Sequence, residues 1–431
     1  MYEGIKKRVK LIKEGSVPKG YFKYRDEIIP KDFLIITLDQ LVDFQNGINA
    51  EKEKFGQGIK MISVSDILRE EPIFYDMIIE SINITSEQLE KFSVAYGDIL
   101  FQRSSENIED AGTANVYLDE KKRATFGGFV IRGKKKADYN PIVINEILKM
   151  KYVRKQVMKM AAGAQHINIS QEALNKVWIG IPDNAQQEYI KKFIKNYSAR
   201  EKLLKKMIDV KWKKRKYLAQ TVLTGKIRFS GFNSEWSKVR LSVVLIERKE
   251  FSAKSGVFEH VSLTKEGIIA KGDRFDRDHL VKDTNKKYKI THLDDICYNP
   301  ANLKFGVICR NTYGDAIFSP IYVTFEVNPM YDIEFVSQFV TRWDFINAVR
   351  KYEEGTVYER MAVKPEDFLK FEVTLPELEE QRAIARVLSM ADKEIELLEK
   401  KLELIKQEKK AIMQLLLTGI VRVGEENTEV D

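Results

Sequence analysis

The sequence predicts an α+β fold built from two related globular domains and two long helices. The chain of 431 residues matches itself without a gap: residues 182–228 align with residues 376–422 at a constant offset of 194, and twelve aligned positions are identical. Each matched segment has apolar residues at heptad spacing and follows a longer stretch that contains short β-like runs. A repeat of so long a period indicates two whole domains rather than a solenoid of small units.

The charge distribution favours a polyanionic partner. The formal net charge is +8, and the excess of positive charge is concentrated in one segment. Residues 191–217 carry twelve Lys or Arg against two carboxylates, whereas the matched residues 385–411 carry seven against six. Such a basic segment is typical of proteins that bind nucleic acid or acidic partners.

Membrane and secreted proteins are disfavoured. No apolar run reaches the length of a membrane helix, and the first residues lack the apolar region of a secretory signal, so we expect a soluble, cytoplasmic protein. Cys297 and Cys309 form neither a zinc-binding motif nor a disulfide framework. We therefore expect them to be buried free thiols.

The repeat divides the chain into six segments. In order, they are an N-terminal extension (1–32), a first globular domain (33–181), a first long helix segment (182–228), a second globular domain (229–375), a second long helix segment (376–422) and an acidic tail (423–431). Strand-like runs and a helical stretch recur in the same order in both domains. They are 60–64, 98–101, 128–131 and the helical 143–161 in the first, and 259–263, 295–298, 321–325 and the helical 333–352 in the second.

The second long segment has an almost unbroken heptad seam, from Ile384 to Leu416, with spacings that alternate between four and three residues. The first segment has charged residues at three of the equivalent positions, Glu201, Lys211 and Arg215, so its seam is weaker. We expect helices of about 38 residues that pair antiparallel and partly neutralise the basic helix through glutamates of the second. Asn184 is the predicted cap of the first helix, and Gly225 and Gly419 fit left-handed helix-terminating positions.

The chemical motifs of common enzymes are missing. Gly225-Lys226 is followed by Ile227, which excludes a standard nucleotide P-loop, and no Gly-x-Gly-x-x-Gly follows a strand. The four histidines show no metal-ligand spacing. Asn299-Pro300-Ala301-Asn302 lacks the second proline and the aromatic residue of an amino-methylation motif, so we interpret it as a turn, and Asp294-Asp295 as solvated turn residues. The sequence therefore favours binding over catalysis.

The order of motifs resembles the specificity subunit of type I restriction-modification systems, over essentially the whole chain. In each half a long helix opens after a proline and closes in Leu-Thr-Gly. The residues that carry the resemblance are Ile181-Pro182 with Gln186-Gln187, Leu375-Pro376 with Glu379-Glu380-Gln381, Leu223-Thr224-Gly225, Leu417-Thr418-Gly419, the segment 232–236, and Gly97-Asp98-Ile99-Leu100 with its counterpart 294–297. One departure is Phe33, which stands where the second half has Trp236.

The resemblance implies that each globular domain is a target recognition domain that reads one half of a split, asymmetric sequence in double-stranded DNA. It implies that the long helices form an antiparallel coiled coil, which separates the two domains and docks two methylation subunits, and that restriction subunits then join. The chain itself would be non-catalytic and hold no cofactor, while S-adenosylmethionine, ATP and magnesium would bind to partner subunits. The pseudo-symmetry would bring the N-terminal extension and the acidic tail together.

Candidate DNA contacts are chosen by chemistry, because Lys, Arg and small polar groups bind phosphates, whereas Arg, Asn, Gln and hydroxyls read bases. In the first domain they are Gln102, Arg103, Ser104, Lys121, Lys122, Arg123, Gln165 and His166; in the second they are Asn299, Lys304, Arg310, Tyr358 and Arg360. The basic run of the first helix could be a solvated face, a contact to the DNA backbone or a docking site for an acidic partner. Because its like charges repel one another, the last two roles are favoured. Its residues are Lys211, Lys213, Lys214, Arg215 and Lys216.

Two other functions stay open. The first is a methyltransferase or nuclease that acts alone, which the missing cofactor loop disfavours. The second is a coiled-coil scaffold that bridges proteins without DNA specificity.

Overall fold

The computed structural model describes residues 2–49, 51–163, 166–253, 258–271, 287–353 and 361–422. The chain divides into two compact units, one made of Met1–Leu203 with Leu402–Asp431 and the other of Leu204–Lys401. Each unit contains one globular half and a part of each long helix. Within the described ranges, no helix combines the length and the apolar character that a membrane span requires.

The first unit starts with a helix and a hairpin and continues into an α+β globule. Its helices are α1 (Tyr2–Lys13), α2 (Leu38–Leu41), α3 (Val64–Ile67), α4 (Ser86–Phe92), α5 (Pro141–Leu148), α6 (Lys151–Met160) and α7 (Gln171–Asn175). Its strands are β1 (Tyr21–Tyr24), β2 (Glu27–Pro30), β3 (Leu34–Thr37), β4 (Val42–Asn46), β5 (Phe55–Ile62), β6 (Ser81–Ile82), β7 (Ile99–Gln102), β8 (Ser104–Ser105), β9 (Ala114–Val116), β10 (Thr125–Phe126), β11 (Val130–Lys135), β12 (Ile167–Asn168) and β13 (Trp178–Ile181). The first long helix, α8, spans the 39 residues Asn184–Val222.

A four-stranded antiparallel sheet forms the centre of the first globule, in the order β4-β11-β7-β9. A smaller sheet, β10-β5-β6, joins a parallel pair to an antiparallel pair. Strand β3 pairs antiparallel with β13, so the start of the globule lies beside its end. The apolar faces of β7, β11 and α5 meet in one core, where Ile99, Ile131 and Ile144 are fully buried.

The second unit contains the rest of α8 and the second globule. Its other helices are α9 (Leu241–Val244), α10 (Ile333–Val340), α11 (Trp343–Val349) and α12 (Pro365–Lys370). Its strands are β14 (Ser237–Arg240), β15 (Leu245–Arg248), β16 (Phe251–Ala253), β17 (Glu259–Leu263), β18 (Ile268–Ala270), β19 (Lys287–Thr291), β20 (Ile296–Tyr298), β21 (Ile308–Arg310), β22 (Ala316–Phe318), β23 (Val323–Val327) and β24 (Glu372–Leu375). The second long helix, α13, spans the 40 residues Leu378–Leu417.

The second globule repeats the topology of the first. Its central sheet has the order β15-β23-β20-β21, again antiparallel throughout, and β14 pairs with β24 as β3 pairs with β13. The parallel pair of β17 with β22 and the antiparallel neighbour β18 correspond to β5, β10 and β6. Strands β16 and β19 extend this second sheet to five strands. The predicted α+β class and order of strands are confirmed, and each predicted helical stretch is divided into two helices.

Within the first unit, the segments of α8 and α13 run antiparallel. Their apolar residues Ile190 and Ile194 share a core cluster with Met413 and Leu416. Further along α8, the carboxylate of Glu201 lies 3.2 Å from the ammonium of Lys409. At these contacts the residue numbers increase along α8 while they decrease along α13, as antiparallel helices require.

Within the second unit, the helix segments also run antiparallel. Lys211 lies 2.5 Å from Glu394, and Arg215 lies 2.7 Å from Asp392. The end of α8, at Val222, packs in one core cluster with the start of α13. The expected neutralisation of the basic helix is thus present at Glu394. By contrast, Glu396 pairs with Lys393 and Lys400 of its own helix.

The predicted cap of α8, Asn184, is wrong by one residue. The backbone N–H of Gln186 donates to Oδ1 of Asp183 at 2.8 Å. Asn184 is already the first helical residue, so the carboxylate of the residue before it reaches the unpaired N–H groups of the first turn.

The Leu-Thr-Gly closures end both long helices as predicted. Gly225 and Gly419 have φ of +70° and +67°, the left-handed conformation that glycine adopts at little cost. A Cβ added to Gly225 would lie 3.3 Å from the ring of Trp236, and one added to Gly419 would lie 3.3 Å from the ring of Phe33. The exchange of tryptophan for phenylalanine therefore preserves an aromatic ring against each closing glycine.

The N-terminal extension contacts the last turn region of the chain within the first unit. Tyr21 donates its hydroxyl to the carbonyl of Gly419 at 2.6 Å, and Arg8 donates to the carbonyl of Ile420 at 3.0 Å. Arg422 donates to Asp32 at 2.7 Å. The expected meeting of this extension with the acidic tail concerns residues 423–431, which lie outside the described residues.

Two buried aspartates immediately precede the central strands β7 and β20. Asp98 accepts the backbone N–H groups of Ala95 and Lys135, each at 2.9 Å, and Asp295 accepts that of His292 at 2.8 Å. Burial raises the pKa of both carboxyls. The interpretation of Asp295 as a solvated turn residue is therefore wrong, because it is 1% exposed and anchors a loop to the sheet.

Candidate nucleic-acid interface

The first group of candidates lies where β7 ends. Gln102 is buried, at 5% exposure, and its Nε2 donates to the carbonyl of Ser104 at 2.9 Å, whereas its Oε1 has no hydrogen-bond partner within the described structure. The backbone N–H of Arg103 donates to the carbonyl of Phe129 at 2.8 Å. The Arg103 guanidinium also reaches the carbonyl of Gly128, at 3.4 Å. This guanidinium is therefore held at the end of β7, next to the turn that precedes β11.

The short ribbon of β8 and β12 brings His166 into the same region. Ser104 pairs with Asn168 across this ribbon, and their side chains are hydrogen-bonded. Asn168 also donates to the backbone carbonyl of His166 at 3.0 Å, and the His166 side chain is exposed. Gln165, the neighbouring candidate, lies outside the described residues. The structure thus groups Gln102, Arg103 and Ser104 with His166, which is far from them in sequence.

The basic run Lys121, Lys122 and Arg123 lies in a separate loop between β9 and β10. Lys122 donates to Asp76 at 2.6 Å, and this hydrogen bond raises the pKa of the lysine. Arg123 lies 3.8 Å from Glu90. Because nearby carboxylates partly neutralise these two cations, this loop offers phosphates less positive charge than its sequence indicates.

The candidates of the second globule lie around the end of β20. Asn299 is 5% exposed, and its Oδ1 accepts the backbone N–H groups of Ala301 and Asn302, so residues 299–302 form the predicted turn. Lys304 is exposed, with its ammonium 5.3 Å from the centre of the Phe305 ring.

The remaining candidates of this globule differ in their environment. Arg310 donates to Asp294 at 2.7 Å and to Glu334 at 3.4 Å, which places it in an ion-pair network. Tyr358 and Arg360 lie outside the described residues. Of the second set, Lys304 is therefore the exposed cation that the structure describes without a carboxylate ion pair.

The two groups occupy equivalent places in their globules. Gln102 and Asn299 both lie four residues after the buried aspartate that immediately precedes the central strand. The next residues, Arg103 and Pro300, each accept a backbone hydrogen bond on their carbonyls, from Ile169 at 3.0 Å and from Val363 at 3.2 Å. The two donors, Ile169 and Val363, are 194 residues apart, which is the offset of the repeat in the long helices. One strand end in each globule is thus built from matching parts.

Sequence reasoning missed the neighbours that complete this strand end. Phe129 and Asn168 lie beside Arg103 and Ser104 because strands distant in sequence pair there. A single sequence carries no signal for such pairing beyond the strand-like runs themselves.

The basic run of α8 is partly paired within the second unit. Lys211 and Arg215 contact carboxylates of α13, as described above, and Arg215 also donates to Gln338 at 2.5 Å. Lys213 pairs with Asp209 of its own helix at 2.7 Å. Lys214 and Lys216 are exposed. The run therefore divides into residues that join the helices and residues that face solvent.

Each long helix also carries a second apolar stripe, which is exposed and distinct from the buried seam. Its residues recur every seven positions: Leu203, Val210 and Tyr217 of α8 are 61%, 53% and 63% exposed, and Met390, Leu397 and Leu404 of α13 are 66%, 55% and 64% exposed. Two of these positions match between the helices at the offset of 194, Leu203 with Leu397 and Val210 with Leu404. Exposed apolar residues that share one helix face mark a contact surface.

Residues 332–407 match the family model described as type I restriction modification DNA specificity domain. The chain is 24% identical over 429 residues to a protein of Methanocaldococcus jannaschii assigned as type I restriction enzyme MjaX specificity subunit, and the alignment covers 92% of this chain and 95% of that protein.

Solved structures were also found to be similar, one of them with a shared fold. One chain from a study of complex assembly and conformational transition of the type I R-M system superposes with a TM-score of 0.57 at 11% identity, over 93% of this chain and 100% of that chain. The S subunit of a type I restriction-modification system from M. genitalium has a TM-score of 0.47 at 15% identity, over 94% and 99%. The chain is thus similar to specificity subunits of type I restriction-modification systems, in the family match over residues 332–407 and in the relative aligned over nearly its whole length.

Proposed function

We propose that the chain is the DNA-recognition subunit of a type I restriction-modification complex and reads a bipartite, asymmetric site in double-stranded DNA. The observation that carries this proposal is the repeated topology of the two globules, whose strand ends match in backbone and differ in side chains. Because the backbones match, the DNA-reading surface has the same position in each globule. Because the side chains differ, the two surfaces select different bases. An asymmetric site with two half-sites follows from these two properties.

The two globules are target recognition domains, with the boundaries 33–181 and 229–375 given by the sequence repeat. The long helices between them form one antiparallel coiled coil that sets the spacing of the half-sites, as dimer geometry sets half-site spacing in other DNA readers. The antiparallel segments within each unit and their duplicated seams support this arrangement.

The exposed stripes of α8 and α13 support docking of two methylation subunits. Because the stripes match between the two helices at two positions each, they offer two related apolar faces to two copies of one partner. Restriction subunits join the resulting complex. The exposed Lys214 and Lys216 lie on the same helix and suit an acidic partner or the DNA backbone.

The chemistry takes place on the partners. The chain is not an enzyme; S-adenosylmethionine, ATP and magnesium bind to the methylation and restriction subunits, and the complex works in the cytoplasm. Among the described residues, no group of three or more His, Cys, Asp or Glu side chains is arranged to hold a metal ion.

The test is to purify the chain with its methylation subunit and map methylated adenines on plasmid DNA by long-read sequencing. We expect one bipartite motif with a fixed spacer, and none when either subunit is omitted. Methylation or cleavage by the chain alone would instead support an independent enzyme. A stable complex with no salt-sensitive DNA binding would support a scaffold.

A further inference from the structure

Each globule has the same β-turn in front of the second strand in the order of its central sheet, β11 or β23, and each turn presents a large apolar residue. The backbone N–H of Val130 donates to the carbonyl of Gly127 at 3.0 Å, and that of Tyr322 donates to the carbonyl of Ser319 at 3.1 Å. The third residues of these turns are Phe129 and Ile321, which are 69% and 62% exposed.

The strand register shows that these two turn residues are equivalent. In the first globule Ile99, which begins β7, pairs with Gly133, and in the second Ile296, which begins β20, pairs with Phe325. Phe129 and Ile321 each lie four residues before that partner. They therefore occupy one and the same place in the repeated fold, although their sequences do not align visibly.

Folding does not explain an apolar side chain at this place. Turn positions favour Gly, Asn, Asp and Ser, and a side chain that stays exposed gains little from the hydrophobic effect. The turns are also held rigidly, because β11 and β23 are paired on both sides within their sheets. A rigid, exposed apolar group at the same point of two divergent domains suits contact with a ligand that both domains bind.

The surroundings of the two turns differ in polarity. Across the strand end from Phe129 lies Arg103, whose N–H bonds to the Phe129 carbonyl, with Ser104 and His166 nearby. In the second globule, the pairing of β20 with β23 can be extended by two residues beyond the end of β20. Pro300, which has no N–H to donate, then lies opposite Ile321. One turn thus combines an aromatic ring with a guanidinium, and the other combines two apolar groups.

We propose that Phe129 and Ile321 are specificity-determining residues, each of which makes apolar contact with base edges of its own half-site. This inference rests on the proposed function. The groove feature that an apolar side chain reads is the C5-methyl group of thymine. Arg103 adds hydrogen-bond donors in the first globule, whereas Pro300 adds none in the second, so the two turns select different bases.

The test compares F129A and I321A in the complex of the chain with its methylation subunit, by competition binding with DNA libraries randomised at each base pair of the mapped site. We expect F129A to reduce discrimination at one or two adjacent positions of one half-site by roughly 5- to 100-fold, the range of a lost base contact. I321A should do the same in the other half-site alone.

Matched controls are L34A and M330A, which remove apolar side chains that are 62% and 75% exposed elsewhere in the same globules. We expect both controls to keep the full base preference. Replacing thymine by deoxyuridine at the affected position should weaken binding of the unchanged complex and leave binding by F129A or I321A unaltered.

Unchanged base preference in F129A and I321A, or an equal loss in both half-sites, would overturn the inference. So would a loss no greater than that of the controls. A complex that recognises no bipartite site before any substitution would instead refute the proposed function, so the two failures are distinguishable.

Discussion

Two glutamines show why particular residues are identical in both copies of the repeat. Gln187 accepts the backbone N–H of Asn140 at 3.0 Å and donates to the carbonyl of Pro182 at 2.9 Å. Gln381 accepts the N–H of Asp332 at 2.9 Å and donates to the carbonyl of Pro376 at 2.8 Å. Both amides are buried and satisfy one donor and one acceptor that would otherwise lack partners. Each glutamine thereby fixes the first turn of a long helix to its own globule.

A neighbouring carboxylate has a role in the second unit alone. Glu380 is 1% exposed and accepts hydrogen bonds from Arg228 at 2.9 and 2.7 Å and from the indole of Trp236 at 3.0 Å. The equivalent residue of the first copy is Gln186, and Arg422, the equivalent of Arg228, donates to Asp32 instead. The identical arginines therefore keep an acidic partner in each unit, supplied from different positions.

We predict that E380Q loosens the junction between α8 and the second globule. Loss of the charged partner of Arg228 should cost about 2 kcal/mol, the value of hydrogen bonds to charged groups. Hydrogen exchange of peptides from residues 225–236 should then be roughly 30-fold faster in E380Q. The adjacent surface pair of Glu379 with Arg382 supplies the control, E379Q, which should leave exchange unchanged. Equal exchange in both variants would show that Glu380 does not hold this junction.

At the scale of elements, charged residues in the α8 seam find opposite charges on α13. Glu201 meets Lys409 in the first unit, and Lys211 and Arg215 meet Glu394 and Asp392 in the second. Ion pairs of this kind add little net stability but disfavour other registers, in which each charge would lose its partner. The weaker seam of the first helix is therefore matched to its partner by charge as well as by apolar packing.

This matching predicts a double-variant result. R215M should destabilise the chain by about 1 to 2 kcal/mol in urea unfolding followed by circular dichroism, because it leaves Asp392 without its cation. R215M combined with D392L should recover most of that loss. K213M, which removes an exposed pair with Asp209, should change stability by less than about 0.5 kcal/mol. Additive losses in the double variant would contradict a direct pairing.

The elements could be predicted from sequence much further than the site. Heptad spacing located both long helices, and the terminating glycines followed from the matched closures, because these signals are local. The burial of Gln102 and Asn299, and the pairing of Lys122 with Asp76, depend on contacts between residues far apart in the chain. Strand register then revealed that Phe129 and Ile321 are equivalent, which their local sequences conceal.

At the scale of the whole molecule, the repeat has a constant part and a variable part. The constant part comprises the long helices, the glutamines at their starts and the order of the central strands. The variable part comprises the extra strands β16 and β19, and the residues at the strand ends. In the proposed function the constant part sets the spacing of the half-sites, and the variable part selects their sequences.

The most direct test of this account is to insert one heptad after Leu203 in α8 and one after Lys401 in α13, and to map the methylated site of the complex. A heptad preserves the seam and adds about 10 Å to each helix at 1.5 Å per residue. A heptad inserted in only one helix is the control and should abolish methylation, since it shifts the seam against its partner. The account predicts that the double insertion keeps both half-sites and lengthens their spacer by up to about three base pairs, at 3.4 Å per base pair. An unchanged spacer between the same half-sites would contradict it.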